Sequence, residues 1–83
     1  MCSLKLPEDI DWIDACDNYD RRHQFATWYS ADETRSLRYY TVSNECGLWT
    51  WDFRTGKWIM QQALPVAVHD PVAIRHLAEE VLR

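Results

Sequence analysis

Acidic side chains are concentrated in one short stretch near the start of the chain. Residues 8–20 contain no Lys or Arg and six acids, namely Glu8, Asp9, Asp11, Asp14, Asp17 and Asp20. This stretch therefore carries a net charge of −6 in a chain whose total is −4, and the remaining residues carry +2. Such separation of charge orients a protein toward a partner with a basic surface, such as a nucleic-acid-binding enzyme. We predict a partner-binding face made of four of these acids: Asp11, Asp14, Asp17 and Asp20.

Two other interpretations apply to the same acidic stretch. Acids on the outer face of a helix commonly form an ordinary solvated surface. Carboxylates also bind Ca²⁺, but a calcium loop of the EF-hand type needs a central Gly and a terminal Glu, and residues 14–20 provide neither. His23, His69 and His76 are far apart, so the spacing of zinc ligands is absent as well. The sequence predicts no metal site and no cofactor.

The sequence contains no recognisable catalytic motif. With only two Gly in the chain, it lacks a P-loop and a nucleophile elbow. Cys2, Cys16 and Cys46 are odd in number and include no CxxC pair, which argues against a disulfide framework or a zinc ribbon. Cys46 precedes Gly47 in a predicted turn, where the neighbouring Glu45 opposes formation of a reactive thiolate. We predict free thiols and a protein that is not an enzyme.

Aromatic and basic side chains form a second candidate site. Tyr39 and an outward-facing Trp58 have three bases near them in the sequence, namely Arg38, Arg54 and Lys57. Exposed rings beside cations bind single-stranded nucleic acid by stacking, and they also suit a small ligand. The net charge of −4 and a pI of about 5.2 disfavour direct binding of nucleic acid. This sheet face is therefore the alternative site.

The acidic stretch has helical periodicity. Pro7 and the acids after it are typical of a first helical turn, so we predict a helix from about Glu8 to Asp20. At about 100° per residue, the polar side of this helix carries Asp11, Asp14 and Asp17. Its apolar side is composed of Trp12, Ala15, Cys16 and Tyr19. The pattern predicts that the apolar side packs on a sheet.

The middle of the chain has the alternation and the turn residues of antiparallel strands. We predict an edge strand over residues 24–30, a loop over 31–36, a strand over 37–43, a turn over 44–47 and a strand over 48–53. Pairing Ser43 with Leu48 collects large side chains on one face, which we predict to be the core: Tyr40, Val42, Trp49, Trp51 and Phe53. The other face is predicted to be exposed or partly covered, and it carries Tyr39, Thr41, Thr50 and Asp52.

The second hairpin turns at residues 54–57, and two registers fit its sequence. A four-residue turn pairs Phe53 with Trp58 and keeps Trp58 and Met60 in the core. We favour this register because it removes more apolar surface from water. A three-residue turn shifts the pairing by one residue and exposes Trp58.

The end of the chain has the signals of a helix. Asp70 is a typical N-cap, and Pro71 is favoured in the first turn. The apolar side of this helix is composed of Ile74, Leu77, Ala78, Val81 and Leu82. A helix, three or four antiparallel strands and a helix predict one small two-layer α+β domain over residues 1–83, with the helices on one face of the sheet.

The functional prediction follows from small size, segregated charge and missing catalytic motifs. The sequence shows no signal peptide and no membrane-spanning run, which favours a cytoplasmic location. The leading hypothesis is a non-enzymatic intracellular protein-binding module, an inhibitor or adaptor that acts through the acidic helix face. By analogy of kind, such proteins occur among phage and mobile-element factors that block host defence, including anti-CRISPR proteins. The alternatives are single-stranded nucleic-acid or small-ligand binding through the sheet face, and a small subunit or homodimer that pairs through the 24–30 strand.

Overall fold

A five-stranded antiparallel sheet and two helices make up the fold of the computed structural model, which describes residues 12–66 and 70–83. The elements in chain order are α1 (Trp12–Ala15), β1 (Asn18–Asp20), β2 (Phe25–Tyr29), β3 (Arg35–Tyr40), β4 (Glu45–Asp52), β5 (Lys57–Leu64) and α2 (Pro71–Val81). Each strand pairs with the next one along the chain, so β1 and β5 are the edges of the sheet. The α+β class is confirmed, with five strands where three or four were predicted.

The N-terminal helix ends earlier than predicted. α1 ends at Ala15 and strand β1 follows, so the predicted helix over residues 8–20 is wrong in its C-terminal part. The part of that prediction before residue 12 lies outside the described residues. The N–H of Asp17 already donates to the carbonyl of Thr27 on β2, at 3.0 Å. Because Asp and Asn are weak helix formers, pairing with β2 is favoured over further helical turns.

Strand β2 falls within the predicted strand over residues 24–30, but it is not at an edge. In the pairing, Ala26 lies between Tyr19 of β1 and Tyr39 of β3. Ala26 has no exposed surface. The predicted edge position is wrong because β1 forms from residues that were predicted to be helical.

The first long hairpin turns earlier than predicted. The predicted loop over residues 31–36 ends two residues too late, and the predicted turn over 44–47 begins three residues too late, since the chain turns at 41–44. The left-handed residue of this turn is Asn44, with a φ of 58°, and its Oδ1 accepts a hydrogen bond from the Tyr39 hydroxyl. Asn tolerates this backbone conformation, so the turn does not need a Gly.

The core lies between the sheet and the two helices. Leu37 and Tyr39 have no exposed surface. Trp12 of α1 stacks on Tyr39, with 5.1 Å between ring centroids, and meets Trp28 edge-on at 6.4 Å. The indole N–H of Trp28 donates to the carbonyl of Ala15 at 3.1 Å, where α1 ends. The prediction that Tyr39 lies on an exposed face is therefore wrong.

The face predicted to be the core is the face opposite the helices. Leu48 pairs with Leu37 instead of Ser43, which shifts the β3–β4 pairing by six residues. Because an even shift leaves every side chain on its original side of the sheet, Tyr40 and Trp49 still share a face. The helices pack on the other face, so the predicted assignment of core and exposed faces is inverted.

The second hairpin has a register that neither sequence alternative contains. Trp51 pairs with Trp58 around a turn at residues 53–56. Trp58 therefore faces the same side as Trp51, as in the favoured alternative. Phe53 was predicted to pair with Trp58 in the core, but it lies in the turn and is 77% exposed. Val42, also predicted for the core, lies in the preceding turn and is 75% exposed.

Helix α2 is capped at both ends. The carboxylate of Asp70 accepts the N–H of Val72 at 3.0 Å, and Pro71 occupies the first turn, as predicted. The apolar side of α2 packs on the sheet through Ile74, Ala78 and Leu82. At the other end, the guanidinium of Arg35 donates to the main-chain carbonyls of residues 81–83, at 2.7 to 3.2 Å. A cation at this end complements the helix dipole and ties α2 to β3.

Candidate functional site

The face of the sheet opposite the helices is covered with aromatic side chains. Alternate residues of the paired strands point to this face. The large apolar side chains among them are Phe25, Tyr29, Tyr40, Trp49, Trp51, Trp58 and Met60, and together with Arg38 they are called the aromatic face below. The rings are partly buried by one another, and Met60 is 52% exposed. Neither described helix packs on this face, because both belong to the core on the other side.

Three rings gather at one end of the aromatic face. Trp51 and Trp58 meet edge-on with 5.5 Å between centroids, and the ring of Tyr29 lies 6.1 Å from that of Trp58. Since β3 and β4 separate the strands of Tyr29 and Trp58, these two side chains lean over the strands between them. Ser36, which pairs with Tyr29 on one side and Trp49 on the other, is fully buried.

Arg38 is the basic side chain that the described strands place among these rings. Its guanidinium carbon is 4.2 Å from the centroid of the Trp49 ring and 5.3 Å from that of Phe25. Cation–π contacts of this kind hold a guanidinium flat against an aromatic ring. Within residues 12–66 and 70–83, no carboxylate forms an ion pair with Arg38. Arg38 is therefore a cation without a carboxylate partner among the described residues.

Three buried polar atoms on this face have no hydrogen-bond partner among the described residues: Ser36 Oγ, Arg38 Nε and Trp49 Nε1. They are neighbours, since Ser36 pairs directly with Trp49 and lies two residues before Arg38 on the same strand. An unsatisfied buried donor or acceptor costs about 1–3 kcal/mol. Such groups call for a specific explanation in a folded protein, for example a partner group that binds there.

A groove of about 570 Å³ crosses β4 and β5 beside these atoms. Gly47 and Ala63, which pair with each other, line it together with Tyr40, Trp49 and Met60. A Cβ on Gly47 would lie 3.1 Å from Met60 Sδ and 3.2 Å from Trp49 Nε1. Glycine thus lets the indole and the thioether approach the backbone of β4.

The four acids predicted to bind a partner do not form one stripe on a helix. Asp11 lies outside the described residues, Asp14 is exposed on α1, Asp17 follows that helix, and Asp20 ends β1. The predicted acidic helix face is wrong as a geometric unit, because the helix ends before Asp17 and Asp20.

Two of these carboxylates already hold local structure. The Oδ2 of Asp17 accepts the N–H of Tyr29 at 2.9 Å, which joins the α1–β1 connection to the end of β2. Asp20 accepts the backbone N–H of His23 at 2.9 Å and contacts its ring Nδ1 at 3.0 Å. The backbone hydrogen bond and then the side-chain hydrogen bond from His23 lower the pKa of Asp20.

A second groove, of about 480 Å³, lies between the end of α1 and α2. It is lined by Asp14 and Asp17, but also by Arg75 and Arg83. The acids therefore share their surroundings with bases, and this part of the surface is mixed in charge.

The alternative site predicted from the sequence is divided between the two faces. Arg38 and Trp58 lie on the aromatic face, whereas the prediction placed Trp58 on the face of Tyr39. Tyr39 is fully buried on the helix side, Arg54 lies exposed in the second hairpin turn, and Lys57 begins β5 beside that turn. Tyr40, Trp49 and Trp51 of this surface were predicted to belong to the core, and their alternation correctly placed them on one face.

The described cysteines are placed as structural thiols. Cys46 lies in β4 and not in the predicted turn, and burial raises its pKa to about 11. Burial also raises the pKa of Cys16, whose thiol donates to the carbonyl of Trp12 at 2.9 Å. Across residues 12–66 and 70–83, no group of three or more His, Cys, Asp or Glu side chains is arranged to hold a metal ion.

Comparison with known proteins adds no relative to this picture. No protein family, no curated protein and no solved structure matches the chain. Neither helix in the part of the chain that the structure describes is long and apolar enough to cross a membrane.

Proposed function

We propose that this chain is a non-enzymatic protein-binding module and that the aromatic face is its binding surface. The observation that carries the proposal is the gathering of six rings, Met60 and Arg38 on a sheet face that no described helix covers. Trp, Tyr and Arg are the side chains that most often dominate the energy of protein interfaces, and Met is enriched there too. An inhibitor or an adaptor binds its target in this way, and an anti-defence role such as that of an anti-CRISPR protein is one setting for it.

The aromatic face supports a protein partner better than it supports a nucleic acid. Nonspecific binding of nucleic acid depends on several cations that neutralise successive phosphates. Arg38 is the one Lys or Arg that the described strands place among the rings, and Glu45 lines the adjacent groove. The net charge of −4 also opposes a polyanion.

The aromatic face also has more support than the acids as the contact surface. Asp17 and Asp20 already accept hydrogen bonds within the chain, and Asp14 lies in a groove with Arg75. The proposal that these acids bind a basic partner is tested by a variant with Asp14→Asn and Asp17→Asn. If that variant binds the protein partner with unchanged affinity and unchanged salt dependence, the acids have no role in binding.

Two neighbouring residues of β5 provide a matched test of the aromatic face. Met60 lies on the face and is 52% exposed, whereas Ile59 lies on the other side of the strand and is 49% exposed. Met60→Lys and Ile59→Lys therefore add the same charge at similar exposure on opposite sides. A protein captured from the source cells by the wild type is purified, and its affinity for all three forms is measured by calorimetry.

We expect Met60→Lys to weaken binding by about tenfold or more, because a buried lysine is desolvated at the interface, and Ile59→Lys to change it little. Equal affinities for both variants, or no saturable protein partner, would overturn the proposal. A single-stranded oligonucleotide that binds the wild type at low salt but not Met60→Lys would assign the face to nucleic acid instead.

A further inference from the structure

Arg38 has neither a hydrogen-bond acceptor for its Nε–H nor an ion-pair partner among the described residues. Its guanidinium lies between the rings of Phe25 and Trp49, its Nε is buried without an acceptor, and no described carboxylate is paired with it. Aromatic rings compensate a cation only in part, because a desolvated charge also needs hydrogen-bond acceptors. The group that fits a guanidinium best is a carboxylate, whose two oxygens match its parallel N–H donors.

The surroundings of Arg38 limit what can carry that carboxylate. Arg38 pairs with Gly47, which lines the groove, and stacks on Trp49, which forms one of the groove's walls. The groove is mostly apolar where Tyr40, Trp49 and Met60 line it, so an apolar side chain fits it. Glu45 lines the same groove, so a group with several negative charges is repelled there more strongly than a single carboxylate. The environment thus suits one carboxylate next to an apolar group and disfavours a polyphosphate.

We propose that the protein partner presents a Glu or Asp carboxylate to Arg38 and an adjacent apolar side chain to the groove over Gly47. The indole N–H of Trp49, which has no acceptor among the described residues, is the second donor available to this carboxylate. Both donor atoms are buried in the unbound chain, so this binding requires small rotamer changes of the kind common at interfaces. This inference rests on the proposed function and names the chemistry of the partner's epitope.

The test uses two capped tripeptides that differ in one group, acetyl-Leu-Glu-Leu-amide and acetyl-Leu-Gln-Leu-amide. The full-length protein is titrated with each while NMR follows the Arg38 Nε–H and the Trp49 Nε1–H signals. We expect both signals to move saturably, with the Glu peptide binding about tenfold more tightly, which corresponds to one charge-assisted pair. Arg38→Gln should remove the difference, whereas Arg54→Gln, in the exposed turn, should retain it.

The two peptides separate failure of this inference from failure of the proposed function. Equal affinities for the Glu and Gln peptides, or a preference that persists in Arg38→Gln, would overturn the role of Arg38 and leave the Met60→Lys result as it stands. No saturable movement of either signal would overturn it as well. A folded spectrum of Arg38→Gln that matches the wild type outside the aromatic face confirms that the variant reports on binding.

Discussion

Asp32 organises the connection between β2 and β3 through a set of hydrogen bonds from a single carboxylate oxygen. Its Oδ1 accepts from the hydroxyls of Ser30 and Thr34, at 2.7 and 2.8 Å, and from the backbone N–H of Thr34 at 3.1 Å. These donors favour the ionised form, and they lower the pKa of Asp32 to about 2. Glu33 adopts a left-handed φ of 59° within the same turn. The carboxylate therefore helps to hold the reversal that sets the start of β3.

Substitution of Asp32 should remove a pH-dependent part of the stability. Because its folded-state pKa lies below the usual 3.8, ionised Asp32 stabilises the fold above about pH 4, and this contribution is lost as pH falls through about 2. Asp32→Asn should therefore have a lower urea midpoint than the wild type at neutral pH. We expect the two midpoints to converge between about pH 4 and pH 2. A difference between the two urea midpoints that persists below pH 2 would show that the ionised Asp32 carboxylate is not the cause.

Thr34→Val gives an independent measure of the same carboxylate. This variant removes the hydroxyl donor but keeps the backbone N–H, so the pKa of Asp32 should rise toward its ordinary value. Carbon-detected NMR titration of the Asp32 carboxyl reads this change directly. An unchanged pKa would show that the Thr34 hydroxyl does not stabilise the ionised form.

At the scale of elements, the attachment of α2 decides which face of the sheet becomes the core. Ile74 and Ala78 pack on the sheet from the middle of the helix, and Arg35 binds its last carbonyls from β3. Arg35 and Arg38 lie three residues apart on β3. Arg35 binds within the fold, on the side opposite Arg38, so only one of these two arginines belongs to the aromatic face.

Loss of the Arg35 contacts should loosen α2. Hydrogen bonds from a charged donor contribute about 1.5–3 kcal/mol each when buried, and partial exposure of this end reduces their joint effect to about 1–2 kcal/mol. Arg35→Gln should lower the free energy of unfolding by that amount in urea denaturation followed by Trp fluorescence. Arg75→Gln removes the same charge from an exposed position of α2 and should change stability by less than about 0.5 kcal/mol. Equal losses in both variants would contradict the capping role.

At the scale of the whole molecule, we expect the two edges of the sheet to disfavour self-association. β1 has only three residues, while β5 has eight and is exposed along most of its length. The register of β5 shifts between Leu48 and Trp49 of its partner strand, so Gln61 is left without an opposing residue. A bulge of this kind twists an edge and hinders the addition of another strand. The predicted dimer through residues 24–30 requires an edge strand, but that strand is internal.

Removal of the bulge tests this account of the edge. Deletion of Gln61 makes the β4–β5 pairing continuous, so we expect the variant to self-associate more than the wild type. Gln61→Ala keeps the extra residue and loses only the hydrogen bond between the Gln61 and Thr50 side chains, at 2.6 Å. Sedimentation velocity over a wide concentration range compares the three forms. Association of Gln61→Ala equal to that of the deletion would assign the effect to the side chain and not to the bulge.

The sequence by itself determined the class of the fold and the partition of side chains between two faces. Alternation placed Tyr40, Trp49 and Trp51 together because side-chain direction in a strand has a period of two, whatever the register. Asp70 and Pro71 fixed the start of α2 because a cap depends on residues that are adjacent in the chain. These features follow from local rules.

The tertiary structure alone decided which face is covered, and so where the candidate site lies. Both faces of the sheet carry large apolar residues, with Trp28, Leu37 and Tyr39 on one side and the rings of the aromatic face on the other. Burial of either face satisfies the hydrophobic pattern, so the choice depends on contacts with Trp12 and α2 that are distant in sequence. Long-range pairing likewise converted residues 18–20 into a strand and moved the turn of the first long hairpin from 44–47 to 41–44. Local sequence patterns do not include these contacts, which is why Tyr40, Trp49 and Trp51 were predicted to belong to the core.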